Sequence, residues 1–222
     1  MHPQPTVSSY AILGLLALRP WTGYDLTRQA TRSLRFAWPK SERLLYAEPK
    51  KLVELGWATT HRETVDGRSR NVYEITPDGR RALEEWMTTH PGPPQLEAEA
   101  LLRVLFAEHG TRDDVTASLE ALRADAREME DSVVAINSTY LDGMHPFPDR
   151  THLSVLFATF QVEVFRLMQR WADFAANEID NWPDIKGVGR TDRVDELIVA
   201  MRDRRSLLAD ETPRDPEDLT SP

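Results

Sequence analysis

The chain has 222 residues and no cysteine, with 41% hydrophobic and 28% charged residues. This composition is typical of a folded globular protein with one large or two small domains, and it excludes a wholly disordered chain. The lack of cysteine excludes disulfide scaffolds, cysteine nucleophiles and thiolate metal sites, and predicts a reducing, cytoplasmic environment. The longest apolar run, Tyr10 to Leu18, is much shorter than the ~20 residues of a membrane span, so no membrane association is expected.

The net charge of −9 is distributed unevenly along the chain. Residues 1–90 carry 13 Lys and Arg against 10 Asp and Glu, a net charge of +3, whereas residues 91–222 carry 14 against 26, a net charge of −12. The proline-rich segment 91–94 separates the two parts, since proline disfavours helix in the residue before it. We therefore predict a first domain at 1–90 that can approach a polyanion, a second domain at 91–209, and a disordered tail at 210–222.

Three short helices are predicted in the first domain. The first surrounds Leu13 and is apolar on nearly every side, which favours burial. The second begins after Thr22, a residue type that caps helix N-termini, and the third ends at Gly56, where a left-handed cap is expected. The predicted apolar face of the third helix consists of Leu44, Leu45, Leu52, Val53 and Leu55.

After the third helix the pattern changes to that of a β-hairpin. Trp57–Thr64 and Asn71–Thr76 are rich in β-branched and aromatic residues, and Asp66-Gly67 between them is a two-residue turn signal. Thr76-Pro77 then provides an N-cap followed by proline at the first helical position. A fourth helix is therefore predicted over 80–87.

Three helices, a hairpin and a further helix in this order are typical of a winged helix-turn-helix domain. In such domains the third helix enters the major groove and the hairpin lies along the DNA backbone, so basic and hydroxyl side chains on both are candidate DNA contacts. The candidate DNA-binding residues are Lys40, Ser41, Arg43, Tyr46 and Lys50 at the third helix, and Arg62, Arg68 and Arg70 on the hairpin. The alternative is that these residues form only the solvated side of an amphipathic helix.

Five sequence features occur together in this region. They are Ile12-Leu13-Gly14-Leu15-Leu16, Thr22-Gly23-Tyr24-Asp25-Leu26, Tyr46 ten residues before Gly56, Asp66-Gly67-Arg68 followed by Tyr73, and Ile75-Thr76-Pro77-Asp78-Gly79-Arg80. Taken jointly they resemble the PadR family of transcriptional regulators over residues 1–88. The resemblance implies a dimeric bacterial winged-helix regulator, usually a repressor, that is released from its operator by a small phenolic or drug-like ligand or by other signals.

Pro49 departs from the pattern of this family, in which leucine usually stands three residues after the tyrosine. A proline inside a helix removes one backbone hydrogen bond and bends or starts the helix. We therefore expect either a kink in the third helix or a displaced DNA-reading segment, which makes the assignment of Lys50 depend on which of the two occurs.

The second domain is predicted to be an antiparallel pair of long helices. Each helix repeats apolar residues at alternating steps of three and four, which is the heptad pattern of coiled coils, and a short break at 142–149 allows the chain to turn back. The first pattern is Val115, Leu119, Leu122, Ala126, Met129, Val133, Ile136 and Tyr140; the second is Leu153, Phe157, Phe160, Val164, Leu167, Trp171 and Phe174. Shorter helices are predicted around 101–106 and 194–201, so the fold class is mainly α.

The second long helix has more apolar surface than one neighbouring helix can cover, because Leu156, Phe165 and Met168 lie outside its main pattern. A dimer with two-fold symmetry would bury that surface and place two winged helices on symmetric half-sites. The predicted dimerisation residues are Leu153, Phe157, Phe160, Val164, Leu167 and Trp171. A monomeric helical bundle is the alternative.

No enzymatic site is predicted. The chain has no phosphate-binding glycine loop, and no nucleophile, base and orienting group can be assembled from its spacing, so neither catalysis nor a cofactor is expected.

The residue types of Asp142, His145, Asp149 and His152 suit a divalent metal, but they lack helical ligand spacing. We interpret them as a solvated loop and assign no metal. Aromatic side chains that could contact a flat effector are Trp86, Trp171 and Phe174, with core packing as the alternative.

These features together predict a dimeric repressor that binds a pseudo-palindromic operator in double-stranded DNA. Its helical half dimerises and senses a small aromatic or drug-like effector. One alternative is an activator on the same fold. A second is a winged-helix module that binds another protein without sequence-specific DNA binding, which the net charge of −9 permits.

Overall fold

The computed structural model describes residues 3–34, 38, 41–65 and 68–208. The chain divides into two compact units, Met1–Gln95 and Leu96–Pro222, so the division falls five residues after the predicted boundary. The tail predicted at 210–222 lies outside the described residues.

The N-terminal unit has the predicted order of helices and strands, with one further short strand, β1, between the first two helices. Its elements are α1 Val7–Leu16, β1 Trp21–Thr22, α2 Gly23–Leu34, α3 Glu42–Glu54, β2 Ala58–Val65, β3 Arg68–Ile75 and α4 Pro77–Met87. Local capping explains where two of the helices begin. Thr6 and Ser9 form a reciprocal capping box at α1, and the Thr22 hydroxyl accepts a hydrogen bond from the backbone N–H of Asp25 (3.1 Å) at α2.

The hairpin belongs to a three-stranded antiparallel sheet with the order β1-β3-β2. β1 was not predicted, because two residues are too short to show any periodicity. It is anchored by Trp21, which is buried and whose indole N–H donates to the Leu15 carbonyl (2.8 Å). Trp21 also lies opposite Tyr73 of β3, so this short strand attaches the hairpin to the helical core.

The core of this unit is formed by large aliphatic side chains from α1, α2 and α3. Ile12, Leu13, Leu26 and Leu52 are fully buried, as the predicted apolar positions require. The end of α3 is fixed by Gly56 with φ of +74°, a conformation that glycine adopts without strain. Backbone N–H groups of the residues after the helix bond back to its last turn in the pattern of a Schellman cap, so the predicted left-handed cap is confirmed.

The junction between the hairpin and α4 is tight. Thr76 caps α4 by accepting from the Gly79 backbone N–H (3.0 Å), and its own N–H donates to the Trp57 carbonyl (3.0 Å). A Cβ added at Gly79 would lie 2.1 Å from that same Trp57 oxygen. Only glycine therefore allows α4 to pack this closely against the chain that enters the hairpin.

The C-terminal unit is helical throughout the residues that the structure describes. Its elements are α5 Glu99–Leu105, a single 3₁₀ turn at Ala107–His109, α6 Arg112–Ser138, a second 3₁₀ turn at Pro148–Arg150, α7 Thr151–Asp180 and α8 Asp192–Arg202. α6 and α7 are antiparallel, as predicted. Arg112 at the start of α6 donates to the carbonyls of Ile179 (2.5 Å) and Trp182 (2.5 Å) at the end of α7, and Arg123 pairs with Asp173 (3.0 Å).

The face of α7 that packs on α6 differs from the predicted heptad pattern. The buried residues of α7 are Ala158, Gln161, Phe165, Ala172, Ala175, Glu178 and Ile179, which are shifted by about one position from the pattern that begins at Leu153. Alanines bring the two helices close together, whereas the larger side chains of the predicted pattern lie mostly on another face. On α6 the predicted pattern holds at Val115, Leu119, Ala126 and Val133, which are buried, whereas Met129 is 36% exposed and Tyr140 lies beyond the end of the helix.

An ion pair joins α8 to α7. Arg193 of α8 binds the carboxylate of Glu178 on α7 through three hydrogen bonds, and bonds to Glu178 and then Glu196 raise the pKa of Arg193 above its ordinary value.

In the turn before α7, the interpretation as a solvated loop is wrong for His145. This side chain is buried, its Nδ1 accepts from the Phe147 backbone N–H (2.8 Å), and its Nε2 is 2.9 Å from the Ser154 hydroxyl oxygen.

Candidate nucleic-acid interface

Helix α3 has two chemically different sides. Leu45, Glu48, Pro49 and Leu52 are buried, at steps of three and four residues. The opposite side is exposed and carries Arg43, Tyr46, Ala47, Lys50 and Glu54 at the same steps. A cation, a phenol, a methyl group and a second cation therefore project from one helical surface, with the Glu54 carboxylate at its C-terminal end. The first four groups are of the kinds that contact base edges in the major groove.

Three predicted contacts share this exposed side. Arg43 and Lys50 are both exposed and lie about two helical turns apart, and Tyr46 between them is 46% exposed. Ser41 is the exposed N-cap residue of α3, and its hydroxyl makes no capping bond, which leaves that hydroxyl available to a ligand. The predicted residue Lys40 lies outside the described residues.

Pro49 does not interrupt α3. The helix runs from Glu42 to Glu54 through Pro49, whose side chain is fully buried. Proline has no backbone N–H, so the carbonyl of Leu45 receives no helical hydrogen bond from that position. Burial of the ring in the core offsets part of this loss, and Lys50 stays on the same continuous helix as Tyr46.

Leu44 was assigned to the apolar core of α3, and this assignment is wrong. Its side chain is 41% exposed, next to Arg43. The buried side contains Glu48 and Pro49 instead, which displaces Leu44 toward the solvated surface. Leu44 and Ala47 thus add apolar surface to the exposed side, a type of surface that contacts the thymine methyl group.

Arg62 and Arg70 of the hairpin are exposed. Arg62 lies opposite Asn71, and Arg70 lies opposite Glu63, so each cation has a polar cross-strand neighbour. Arg68 begins β3 opposite Val65; its side chain, like the Asp66-Gly67 turn, is outside what the structure describes. Glu63 Oε1 also lies 3.1 Å from His61 Nε2 on the same strand.

Sequence reasoning missed a second basic surface in the same unit. Tyr24, Arg28 and Arg32 are exposed at four-residue intervals along α2. In helix-turn-helix proteins the helix before the recognition helix crosses the DNA backbone, so arginines on this line suit phosphate contacts. The four-residue spacing of the two arginines was the available signal.

The candidate effector residues are distributed over both units. In the N-terminal unit Trp86 is half-buried and stacks on Tyr10, with ring centroids 5.1 Å apart and planes 7° apart, and Tyr10 also contacts Trp57. In the C-terminal unit Trp171 and Phe174 are half-buried on α7, and Trp171 packs against the core between α6 and α7. Trp86 and Trp171 therefore have packing neighbours within their own units.

The predicted dimerisation residues lie mostly on an exposed side of α7. Leu153, Phe157, Phe160 and Leu167 are 44%, 39%, 65% and 48% exposed, respectively, and Val164 is half-buried. Leu156, which lay outside the predicted pattern, is 70% exposed on the same side. We call the side formed by Leu153, Leu156, Phe157, Phe160, Val164 and Leu167 the α7 patch.

Two negative findings apply to the part of the chain that the structure describes. No helix there has the length and apolar character needed to cross a membrane. Within the same residues, no three His, Cys, Asp or Glu side chains are grouped so that they could hold a metal ion.

The order of elements, the exposed side of α3 and the arginine-bearing hairpin define a regulator of the winged helix-turn-helix class. Residues 12–85 match the sequence model of the family described as "Transcriptional regulator PadR-like family". Residues 12–85 are therefore a PadR-like regulator domain, and the resemblance predicted from the motifs is confirmed.

Relatives and solved structures agree with this assignment. The chain is 27% identical over 164 residues to the negative transcriptional regulator PadR of Bacillus subtilis (strain 168), covering 71% of this chain and 90% of that protein. The crystal structure of Bacillus subtilis PadR with operator DNA gives a TM-score of 0.68 at 24% identity, over 80% of this chain and 100% of that chain. The crystal structure of the same protein with p-coumaric acid gives a TM-score of 0.60 at 24% identity, over 79% of this chain and 100% of that chain.

These similarities confirm the mainly helical winged-helix fold class. The matched family and the relative are transcriptional regulators, so the prediction that the chain is not an enzyme is also confirmed.

Proposed function

We propose that this PadR-like regulator is a dimeric repressor that binds a pseudo-palindromic operator and leaves it when a small aromatic ligand binds. The observation that carries the proposal is the exposed side of α3, where Arg43, Tyr46 and Lys50 project together from one continuous helix. Arg43 and Lys50 can donate to guanine acceptors, and Tyr46 supplies both a hydroxyl and an apolar ring. Repression, rather than activation, is favoured by the name of the Bacillus subtilis relative, a negative regulator.

The hairpin and α2 supply the contacts that position α3. Arg62, Arg68 and Arg70 on the hairpin, with Lys40 before α3, would neutralise phosphates without reading sequence. Arg28 and Arg32 on α2 extend this phosphate-binding surface. The N-terminal unit is thus basic where it meets DNA, although the whole chain has a net charge of −9.

Dimerisation is assigned to the α7 patch, together with Trp171 from the predicted set. Large apolar side chains that are exposed in a single chain, as most of those in the α7 patch are, are typical of a protein interface. Two-fold pairing of this patch would present two winged helices to the two halves of a pseudo-palindrome, in the bacterial cytoplasm where the chromosome lies.

Effector release is assigned to the aromatic residues Trp86, Trp171 and Phe174. Flat ligands stack on such rings, and Bacillus subtilis PadR has been solved with p-coumaric acid. We expect p-coumaric acid to lower the affinity of this protein for its operator, and alanine at Trp86 or Phe174 to abolish that response.

The experiment is fluorescence anisotropy with a labelled duplex from the region upstream of the protein's own gene, against a scrambled duplex, over a series of salt concentrations. We expect Tyr46→Ala to weaken binding to the upstream duplex about tenfold, the cost of one base contact, and binding to the scrambled duplex by much less. Arg62→Ala and Arg70→Ala should weaken both duplexes alike and reduce the salt slope by about one each.

Arg103→Ala is the matched control, since it removes the same charge from α5 in the helical unit, and it should change neither affinity. Equal binding of the wild-type protein to both duplexes, followed by an empty genome-wide pull-down, would contradict the repressor and favour a module that binds protein.

A further inference from the structure

Glu48 is the one carboxylate buried among the described residues of the N-terminal unit. It is 5% exposed and lies on the inner side of α3, opposite Tyr46 and Lys50. Burying a carboxylate is costly unless hydrogen bonds and a counter-charge replace its water. The groups around Glu48 must therefore offset the cost of burying a charge, a cost that leucine at this position would not have.

The carboxylate is held by α1. The hydroxyl of Ser9, a fully buried residue, donates to Glu48 Oε2 at 2.7 Å. The same Ser9 oxygen accepts from the Thr6 backbone N–H (3.0 Å), as part of the capping box that begins α1. Glu48 thus lies at the N-terminal end of α1, where the helix dipole favours a negative charge, and Lys51 Nζ lies 3.8 Å from Oε2.

The bond joins α1 to α3 next to the weakest point of α3. Pro49 follows Glu48 directly and leaves the carbonyl of Leu45 without its helical donor. Apolar contacts between the two helices are non-directional, so they allow small rotations of α3 at little cost. A short hydrogen bond between buried groups is directional and fixes one rotation.

We propose that Glu48, held by Ser9, is a positioning residue that sets the rotation of α3 and thereby the placement of Tyr46 and Lys50 on the bases. The inference rests on the proposed function, because it concerns how that interface is oriented. Tyr46 and Lys50 share one helix with Glu48, so a rotation that frees the carboxylate moves both of them together. Phosphate contacts from the hairpin do not depend on this rotation.

The test compares specific with non-specific DNA affinity in the full-length protein. The specific probe is the duplex that the wild-type protein enriches most strongly from a random-sequence pool, and the non-specific probe is its scrambled version. Glu48→Ala should lower affinity for the selected duplex at least about tenfold, equivalent to losing one base contact, and should change affinity for the scrambled duplex less than about twofold.

Two further variants separate positioning from stability. Glu48→Gln keeps an oxygen that can accept from Ser9, so it should retain most of the specific affinity. Ser9→Ala removes the donor and should lose specific affinity as Glu48→Ala does, and the double variant Ser9→Ala/Glu48→Ala should be no worse than either alone. Ile12→Val is the matched control; it trims the fully buried core of α1 without touching the hydrogen bond and should leave the ratio of the two affinities unchanged.

The outcomes are distinct. If the wild-type protein enriches no duplex, the proposed function and this inference are both wrong. If it does enrich one, and folded Ser9→Ala or Glu48→Ala protein keeps the wild-type ratio of specific to non-specific affinity, only the positioning role is overturned. If Glu48→Ala does not fold, Ser9→Ala is compared with Glu48→Gln instead. Equal ratios of specific to non-specific affinity in these two variants would also overturn the positioning role.

Discussion

The two units of this protein bury apolar surface in different ways. In the N-terminal unit the large aliphatic side chains Ile12, Leu13 and Leu16 are 0–1% exposed. In the helical unit the contact between α6 and α7 contains small residues such as Ala126 and Ala172, and larger side chains remain outside. The N-terminal unit therefore completes its own core, whereas the helical unit leaves large apolar side chains of α7 exposed, as the proposed dimer interface would need.

The largest effect is expected from a charge placed in the α7 patch, which tests whether the exposed apolar surface of the helical unit is an interface. Phe160 is 65% exposed, so Phe160→Asp leaves the single chain intact. We expect the dimer to weaken about 100-fold or more, because a carboxylate would be buried against apolar side chains at the interface. Sedimentation equilibrium at several protein concentrations measures this change.

Thr159→Asp is the control for that variant. Thr159 is exposed and adjacent in sequence, but a helix turns about 100° per residue, which places it beside the patch rather than within it. It should leave the dimer nearly unchanged. A Phe160→Asp protein as dimeric as the wild type would show that the α7 patch is not the interface.

A second prediction tests how closely the N-terminal unit is packed. Gly79→Ala should destabilise this unit by about 1–3 kcal/mol, because the new Cβ would lie 2.1 Å from the Trp57 carbonyl oxygen. Gly14→Ala in α1 has no atom within 4 Å of the added Cβ and should stabilise it by about 0.5–1 kcal/mol. Urea denaturation followed by tryptophan fluorescence reports both, and shifts of the same sign would contradict the close approach at Gly79.

The smallest effect concerns the start of α6 in the helical unit. Hydrogen bonds from the Thr111 hydroxyl and then its backbone N–H lower the pKa of Asp114 below its ordinary value. A carboxyl with a lowered pKa in the folded state adds stability that is present above its unfolded pKa of 3.8 and is lost as pH falls through the folded value. Thermal unfolding of the wild type and Asp114→Asn should therefore differ slightly near neutral pH and converge in acid.

Asp125→Asn serves as the comparison for Asp114→Asn, since Asp125 is an exposed acid on the same helix for which no hydrogen bond is described. Near neutral pH, Asp125→Asn should change the unfolding temperature less than Asp114→Asn does, because it removes no capping hydrogen bond. A difference at Asp114 that grows in acid would reverse the expected sign and contradict the capping role.

The features of the fold that were predicted correctly are local ones. Thr22 capping α2, Gly56 ending α3 and Thr76-Pro77 starting α4 each act through neighbours a few residues away, so the sequence alone identifies them. The heptad pattern of α6 was also sufficient, because its apolar residues lie on one stripe. Strand β1 was missed because its pairing with β3 joins residues about fifty positions apart.

The features that the sequence did not reveal depend on which side of a helix is covered by another part of the fold. α7 has a stripe of alanines beside a stripe of larger apolar residues, and periodicity favours the larger ones although the alanines allow closer packing. Glu48 has the residue type of a surface position and is buried because Ser9 of α1 supplies a donor. Of the candidate DNA contacts, Arg43, Tyr46 and Lys50 were brought together because one helical period relates them.

The junction at Thr76 has a consequence for how this family of domains can vary. Thr76 binds the Trp57 carbonyl through its N–H and the Gly56 carbonyl through its hydroxyl (2.7 Å), so the chain enters and leaves the hairpin at one fixed point. Residues can be added in pairs at the far end of β2 and β3 with little entropic cost and no change at that point. Each added residue per strand would extend the arm by about 3.4 Å. Under the proposed function, the reach of the hairpin along DNA could therefore change without any change in base reading by α3.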